Sequence, residues 1–215
     1  MYTDDVSALL STDSVVEAGV SLVERVGWAR LSLRVVASEL GVTPMALYRH
    51  AGGSESLKAA VVETIVRRSP SVESTGDVGA DLAEWARRLH HHLGRYPGVA
   101  GHLLTMWFES PAMLERIDDL LGLVGEQGLD GFEAVAVTNA VFTYVLMRCE
   151  AERAVRTAGV VRRTLSAAGA SRPLDRLNAL APYYTTAQFD AHFEFGLRSL
   201  IAGMPLAARP TVRRR

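Results

Sequence analysis

The sequence predicts an all-α protein. Apolar residues recur at steps of three and four along most of the chain, glycines close these runs and Ser or Thr residues open them. No stretch shows the strict alternation of a strand, and no internal repeat is present.

Asp13 to Val26 sets Val15, Val16, Gly19, Leu22, Val23 and Val26 at helical spacing, with Gly27 as the stop. Ser32 is placed to cap a second helix, Leu33 to Leu40, and Gly41 breaks it. Thr43 caps a third from Pro44 to His50, since proline is tolerated in a first turn. After Ala51-Gly52-Gly53, Ser54 is read as the cap of a helix to about Arg68, with Glu55 in its first turn. The Ser- and Gly-rich stretch Ser69 to Gly79 is a loop, which divides the chain into domains 1–68 and 69–215.

Further helices follow over Ala80 to Leu93, Gly98 to Thr105, Pro111 to about Gln127, Phe132 to about Arg156, and Gln188 to Gly203. Ala158 to Thr185 is interrupted by Gly159, Gly169, Pro173 and Pro182 and reads as mixed helix and loop. The closing RPTVRRR reads as a basic tail.

Composition narrows the function classes. Of 215 residues, 48% are hydrophobic, enough for a sizeable core. No run reaches the roughly 18 uninterrupted apolar residues of a membrane span. The acidic start MYTDDVSALLSTDS lacks the pattern of a signal peptide. Cys149 is the single cysteine, so no disulfide forms within the chain, and a cytoplasmic setting is expected. The net charge of −1 gives no bulk reason to expect nucleic acid, so any such case rests on local placement.

Leu31 to His50 supplies that placement. In a helix-turn-helix begun at Leu33, Val36, Ala37 and Leu40 face the partner helix. Gly41 makes the bend, Val42 plugs the corner, and Leu47 returns to the same surface. Ala37 must be small because two short, steeply crossed helices approach closely there. With Ala46 and Leu47 used inside, Thr43, Pro44, Met45, Tyr48, Arg49 and His50 remain for a polar partner. Thr43 and Met45 suit base edges, Tyr48 and His50 suit phosphates, and Arg49 and Arg34 suit either. Ser32 and Ser54 present helix N-termini, which seat phosphates. A tight helical corner without DNA is the plainer alternative, and the turn by itself does not separate the two.

The run SVVEAGVSLVERVGWARLSLRVVASELGVTPMALYRHAGGSESLKAAVV resembles the N-terminal domain of the TetR family of transcriptional regulators. The resemblance rests on Gly27, Ser32 to Ala37, Gly41-Val42, Leu47 to His50 and Leu57, and covers about the first 68 residues. Beyond them it rests on Tyr96-Pro97, Glu126 to Leu129 and FEFGLRSLIAGM. Ala51 stands where the family usually has a bulky apolar residue. Ser54 stands where it often has a phosphate-binding lysine.

The resemblance implies a pocket for a small, largely apolar effector in the second domain. The residues expected to line it are Trp85, Met106, Trp107, Phe108, Met113, Phe142 and Met147, with Asn139, Thr143 and Arg148 orienting the ligand. For any one apolar member, plain core packing accounts for the same spacing, and the polar three equally suit an interface or solvent. The resemblance also implies a homodimer through helices 132–156 and 188–203. Phe189, Phe193, Leu197, Leu200 and Ile201 form the apolar stripe of the last helix, with Phe195 on another flank.

His90-His91-His92 reads as a surface helix end, because neighbours 100° apart cannot share one metal ion. No catalytic motif or cofactor loop is present, so neither an enzyme nor a cofactor is expected. The expected function is a ligand-responsive repressor released from a near-palindromic operator. The competing class is a small-molecule-binding or catalytic helical bundle whose first domain is only an interaction module.

Overall fold

The computed structural model describes residues 10–158 and 174–206, and among them there is no strand. Four helices form the N-terminal part: α1 (Thr12–Val26), α2 (Leu33–Glu39), α3 (Pro44–Ala51) and α4 (Ser54–Arg67). The rest is α5 (Val78–Gly94), α6 (Val99–Met106), α7 (Pro111–Gly125), α8 (Gly131–Ala158), α9 (Asp175–Ala179) and α10 (Phe189–Ala202). The fold is all-α, and helix ends fall within about two residues of the sequence expectation, the usual scatter of frayed ends. The basic tail and most of the mixed segment after Ala158 lie outside the described residues.

Capping explains the starts. Ser11 and Ser14 exchange hydrogen bonds as a capping box on α1. The Ser32 and Thr43 side chains accept from Val35 N–H at 3.4 Å and Ala46 N–H at 3.2 Å. Ser54 departs from expectation: it is the first residue inside α4, and the cap is Gly53, which has no side chain to offer. Two successive positive-φ glycines, Gly52 (+68°) and Gly53 (+129°), advance the helix start by that one residue.

Helix α8 is the axis of the C-terminal part and packs against α5, α6, α7 and α10. Over Gly131–Arg156 its length and mean hydropathy of 1.2 match those of a membrane span, but 44% of its most apolar window is buried inside the protein. The apolar core runs without a break from Val15, Val23 and Leu47 of the first part to Leu103, Leu146 and Leu197 of the second. The loop before α5 is therefore a seam in the chain, not in the core.

Backbone and side chains both fasten that seam. Trp28 N–H donates to the Pro97 carbonyl at 2.8 Å, and Arg95 pairs with Glu24 at 2.8 Å. His92 Nε2 meets the Ile65 carbonyl at 2.8 Å. The Glu63 carboxylate of α4 accepts from Ser110 Oγ at 2.8 Å and Ala112 N–H at 3.1 Å, at the start of α7.

Candidate nucleic-acid interface and effector cleft

The corner between α2 and α3 is a Schellman turn. Val42 N–H donates to the Ala37 carbonyl at 3.0 Å and Gly41 N–H to Ser38 at 3.3 Å, with Gly41 at φ +68°. Val36, Ala37 and Leu47 are wholly buried beneath it. This packing fixes how α3 is rotated about its own axis. With Leu47 inward, Thr43, Pro44, Met45, Tyr48 and Arg49 stand outward, Met45 72% and Tyr48 56% exposed. His50 is half-buried, and its carbonyl accepts from Thr12 Oγ1 at 3.2 Å, tying the end of α3 to α1.

An apolar side chain left in water on so short a helix has no packing role in the single chain. The charge pattern agrees. Arg25 is held by Glu39 at 2.5 Å, whereas Arg34 and Arg49, both exposed, pair with no acid among the described residues. The Thr43 hydroxyl accepts from the backbone and keeps its own proton to donate. Gly53 leaves the first N–H groups of α4 without a side-chain acceptor, the arrangement that receives phosphate oxygens. The Tyr48 ring lies over Gly53, where an added Cβ would meet it at 3.7 Å.

In the C-terminal part a cleft of about 160 Å³ opens between α5, α6 and α8. Leu93, Tyr96, Pro97, Ala100 and Cys149 supply its apolar wall. Its charged lining includes Glu152, whose side chain is only 6% exposed. Glu152 meets His90 Nε2 at 3.2 Å and Arg148 at 3.1 Å, with Arg156 at 3.9 Å. Burial works to raise the Glu152 pKa, but the His90 hydrogen bond and the His90, Arg148 and Arg156 charges outweigh it. The carboxyl is left below its ordinary value.

Residues 70–207 match the family described as Tetracyclin repressor-like, C-terminal domain. The HTH-type transcriptional repressor DrrR1 of Streptomyces coeruleorubidus is 28% identical over 210 residues, covering 91% of this chain and 77% of that protein. The HTH-type transcriptional regulator Rv0681 of Mycobacterium tuberculosis is 32% identical over 156 residues, covering 65% of this chain and 71% of its own. The crystal structure of a possible TetR family transcriptional regulator from Streptomyces coelicolor A3(2) superposes with a TM-score of 0.76 at 28% identity, over 90% of this chain and 98% of that one. The chain belongs to the TetR family of transcriptional regulators.

Within this TetR family chain, the residues expected to line an effector pocket differ in burial. Trp85, Met113 and Phe142 are buried in the core. Met106 and Trp107 are half-buried, and Phe108 is exposed, its ring edge-on to Trp107 at 6.0 Å. Asn139, Thr143 and Met147 stand in one row on the outer face of α8, because steps of four keep residues on one side and the intervening Val141, Val145 and Cys149 take the inner side. Arg148 is engaged by Glu152. None of the ten lines the cleft described above.

The cleft is built from residues that the sequence did not single out for a ligand. His90 and His92 are corrected from surface positions. Turning 100° per residue carries the His90 ring to Glu152 and the His92 ring to Ile65, and leaves only His91 exposed. The one available signal was the charge run Glu150, Glu152, Arg153 and Arg156 at the end of an otherwise apolar helix.

The stripe assigned to pairing on α10 is likewise corrected: Phe189, Phe193 and Leu197 are buried within the chain's own core, and Leu200 and Ile201 pack against it. Phe193 stacks on His90 at 4.0 Å, while Tyr144 Oη donates to the Phe193 carbonyl at 2.9 Å. The residue that faces outward is Phe195, 67% exposed. Phe132, 86% exposed, and Val135 and Met147 do so on α8.

Proposed function

We propose that this regulator is a homodimeric repressor that binds a near-palindromic operator through residues 32–54 and is released by a small, largely apolar effector held in residues 69–215. The observation that carries the reading is the outward face of α3, with Met45, Tyr48 and Arg49 exposed and Arg49 and Arg34 without an acidic partner among the described residues. Arg34, Thr43, Pro44 and Met45 meet base edges in the major groove. Ser32, Tyr48, His50 and the start of α4 at Ser54 hold the flanking phosphates. Similarity to a repressor supports the direction of control.

Dimerisation uses α8 and α10, residues 132–156 and 188–203. Phe132, Val135, Met147 and Phe195 on these two helices are exposed apolar side chains, which a partner copy would cover. Two-fold pairing there sets two copies of α3 about 34–36 Å apart, the spacing of successive major grooves. The protein acts in the cytoplasm, where operator and effector meet.

Electrophoretic retardation of operator duplex tests the reading. Tyr48→Ala and Arg49→Ala abolish retardation while light scattering still reports a dimer. Affinity of the unaltered protein falls steeply with salt as counterions are released. Undiminished binding by both variants is incompatible with this placement.

A further inference from the structure

We infer that Trp28 is a positioning residue for operator binding: the corner between α5 and α6 grips it and so holds the helix-turn-helix at one angle to the C-terminal part. This inference rests on the operator-binding reading above and adds to it the contact that orients α2 and α3.

Residues 27–28 and 97–98 interlock. The bond from Trp28 N–H to the Pro97 carbonyl, 2.8 Å, is the one backbone-to-backbone hydrogen bond between the first part and the second among the described residues. A glycine on each side permits the approach. A Cβ on Gly27 would stand 3.1 Å from the Pro97 carbonyl oxygen, and one on Gly98 would stand 3.1 Å from Trp28 Cβ. Both glycines have positive φ, +89° and +91°, so a side chain is disfavoured there by conformation as well as by space. One turn into α6, the His102 ring lies against the Trp28 indole with centroids 4.7 Å apart. Pro97, Gly98 and His102 thus hold the backbone, the Cβ and the ring of a single residue.

The chain after Trp28 has little slack. Its carbonyl accepts from Leu31 N–H at 3.0 Å, which closes a single tight turn over Trp28–Arg30. Leu31 is buried against α1, where a Cβ on Gly19 would meet it at 3.5 Å. The next residue, Ser32, caps α2, and α2 fixes α3 through the Gly41 corner. The other seam contacts hold α1 through Glu24 and α4 through Glu63 and Ile65. Of these contacts, the one at Trp28 alone sits on the stretch that leads into α2. A helix-turn-helix freed there visits more orientations, and operator affinity falls in proportion to the fraction that stays competent.

His102→Ala removes the ring on the C-terminal side and leaves Trp28 and the DNA-facing residues unaltered. The probe is a duplex recovered from random-sequence DNA by selection with the unaltered full chain. His102→Ala binds it about three- to tenfold more weakly, the worth of one aromatic pair, while circular dichroism and light scattering report a folded protein of unchanged oligomeric state. Trp28→Ala loses at least as much, and the double variant loses no more than Trp28→Ala, because both changes remove one contact. His102→Phe keeps a ring on the indole and restores affinity. Hydrogen exchange gives a readout free of DNA: in His102→Ala the Trp28 and Leu31 amides exchange faster, while Val20 and Val23 of α1 keep their protection. Both readouts of His102→Ala stand even where Trp28→Ala fails to fold. Unchanged or tighter duplex binding by His102→Ala, additive losses in the double variant, or unaltered exchange at Trp28 would overturn the inference. If selection recovers no duplex, the operator-binding reading fails, and exchange at Trp28 still decides whether His102 grips it.

Discussion

The Glu63 carboxylate and the Ser110 hydroxyl, 47 residues apart in sequence, lie 2.8 Å from one another across the seam between α4 and α7. Ala112 N–H donates to the same carboxylate, so an acid of the N-terminal part caps a helix of the C-terminal part. Its negative charge sits where the α7 dipole is positive.

Removing this cap should loosen both parts together. Glu63→Ala is expected to lower unfolding free energy by about 1.5–3 kcal/mol, the range for hydrogen bonds to a charged group, with a smaller loss for Glu63→Gln, which keeps an acceptor oxygen. Urea denaturation followed by circular dichroism measures both. A change within error for Glu63→Ala would show that the contact contributes nothing.

Ala37 is wholly buried where α2 meets α3, and its carbonyl receives Val42 N–H. Ala37→Leu should cost about 1–3 kcal/mol by overpacking and tilt α3 away from its outward setting. Thermal unfolding gives the first effect and operator affinity the second. A stable variant with full affinity would mean that the corner has slack.

Cys149 is buried, and burial is the main cause that pushes its thiol pKa up to about 12. The thiolate is the reactive form, so the folded protein should react with Ellman's reagent far more slowly than a free thiol does at neutral pH. In denaturant one thiol per chain should react promptly. Fast labelling of the native protein contradicts this environment.

Burial holds the His92 ring below its ordinary pKa, and the nearby Arg95, His91 and Arg68 charges add to it against the opposing bond to the Ile65 carbonyl. As pH falls below about 6.5, the unfolded chain takes up this proton before the folded one. The contribution of His92 to stability is therefore present above that pH and declines on acidification. His102, also depressed mainly by burial, adds to the same trend. Unfolding midpoints between about pH 7.5 and pH 5.5 should fall for the unaltered protein and fall less for His92→Gln. An equal fall in both would remove His92 from the account.

Helices, caps and the α2–α3 corner were readable from the chain because each depends on residues a few positions apart. Apolar spacing sets a helix face, Ser32 and Thr43 reach backbone groups three residues on, and Gly41 permits the left-handed turn in place. The outward direction of Tyr48 and Arg49 follows from the same local rule once Leu47 is inside. What the linear pattern left undetermined is how each long helix is turned toward its neighbours. Phe193 and Phe195 are two residues apart on one helix, yet the first stacks on His90 and the second faces water. Glu63 finds α7, and His90 finds Glu152, only after distant segments have packed. Such pairings depend on the relative rotation and position of whole helices, a property of the assembled core that no stretch of sequence carries by itself.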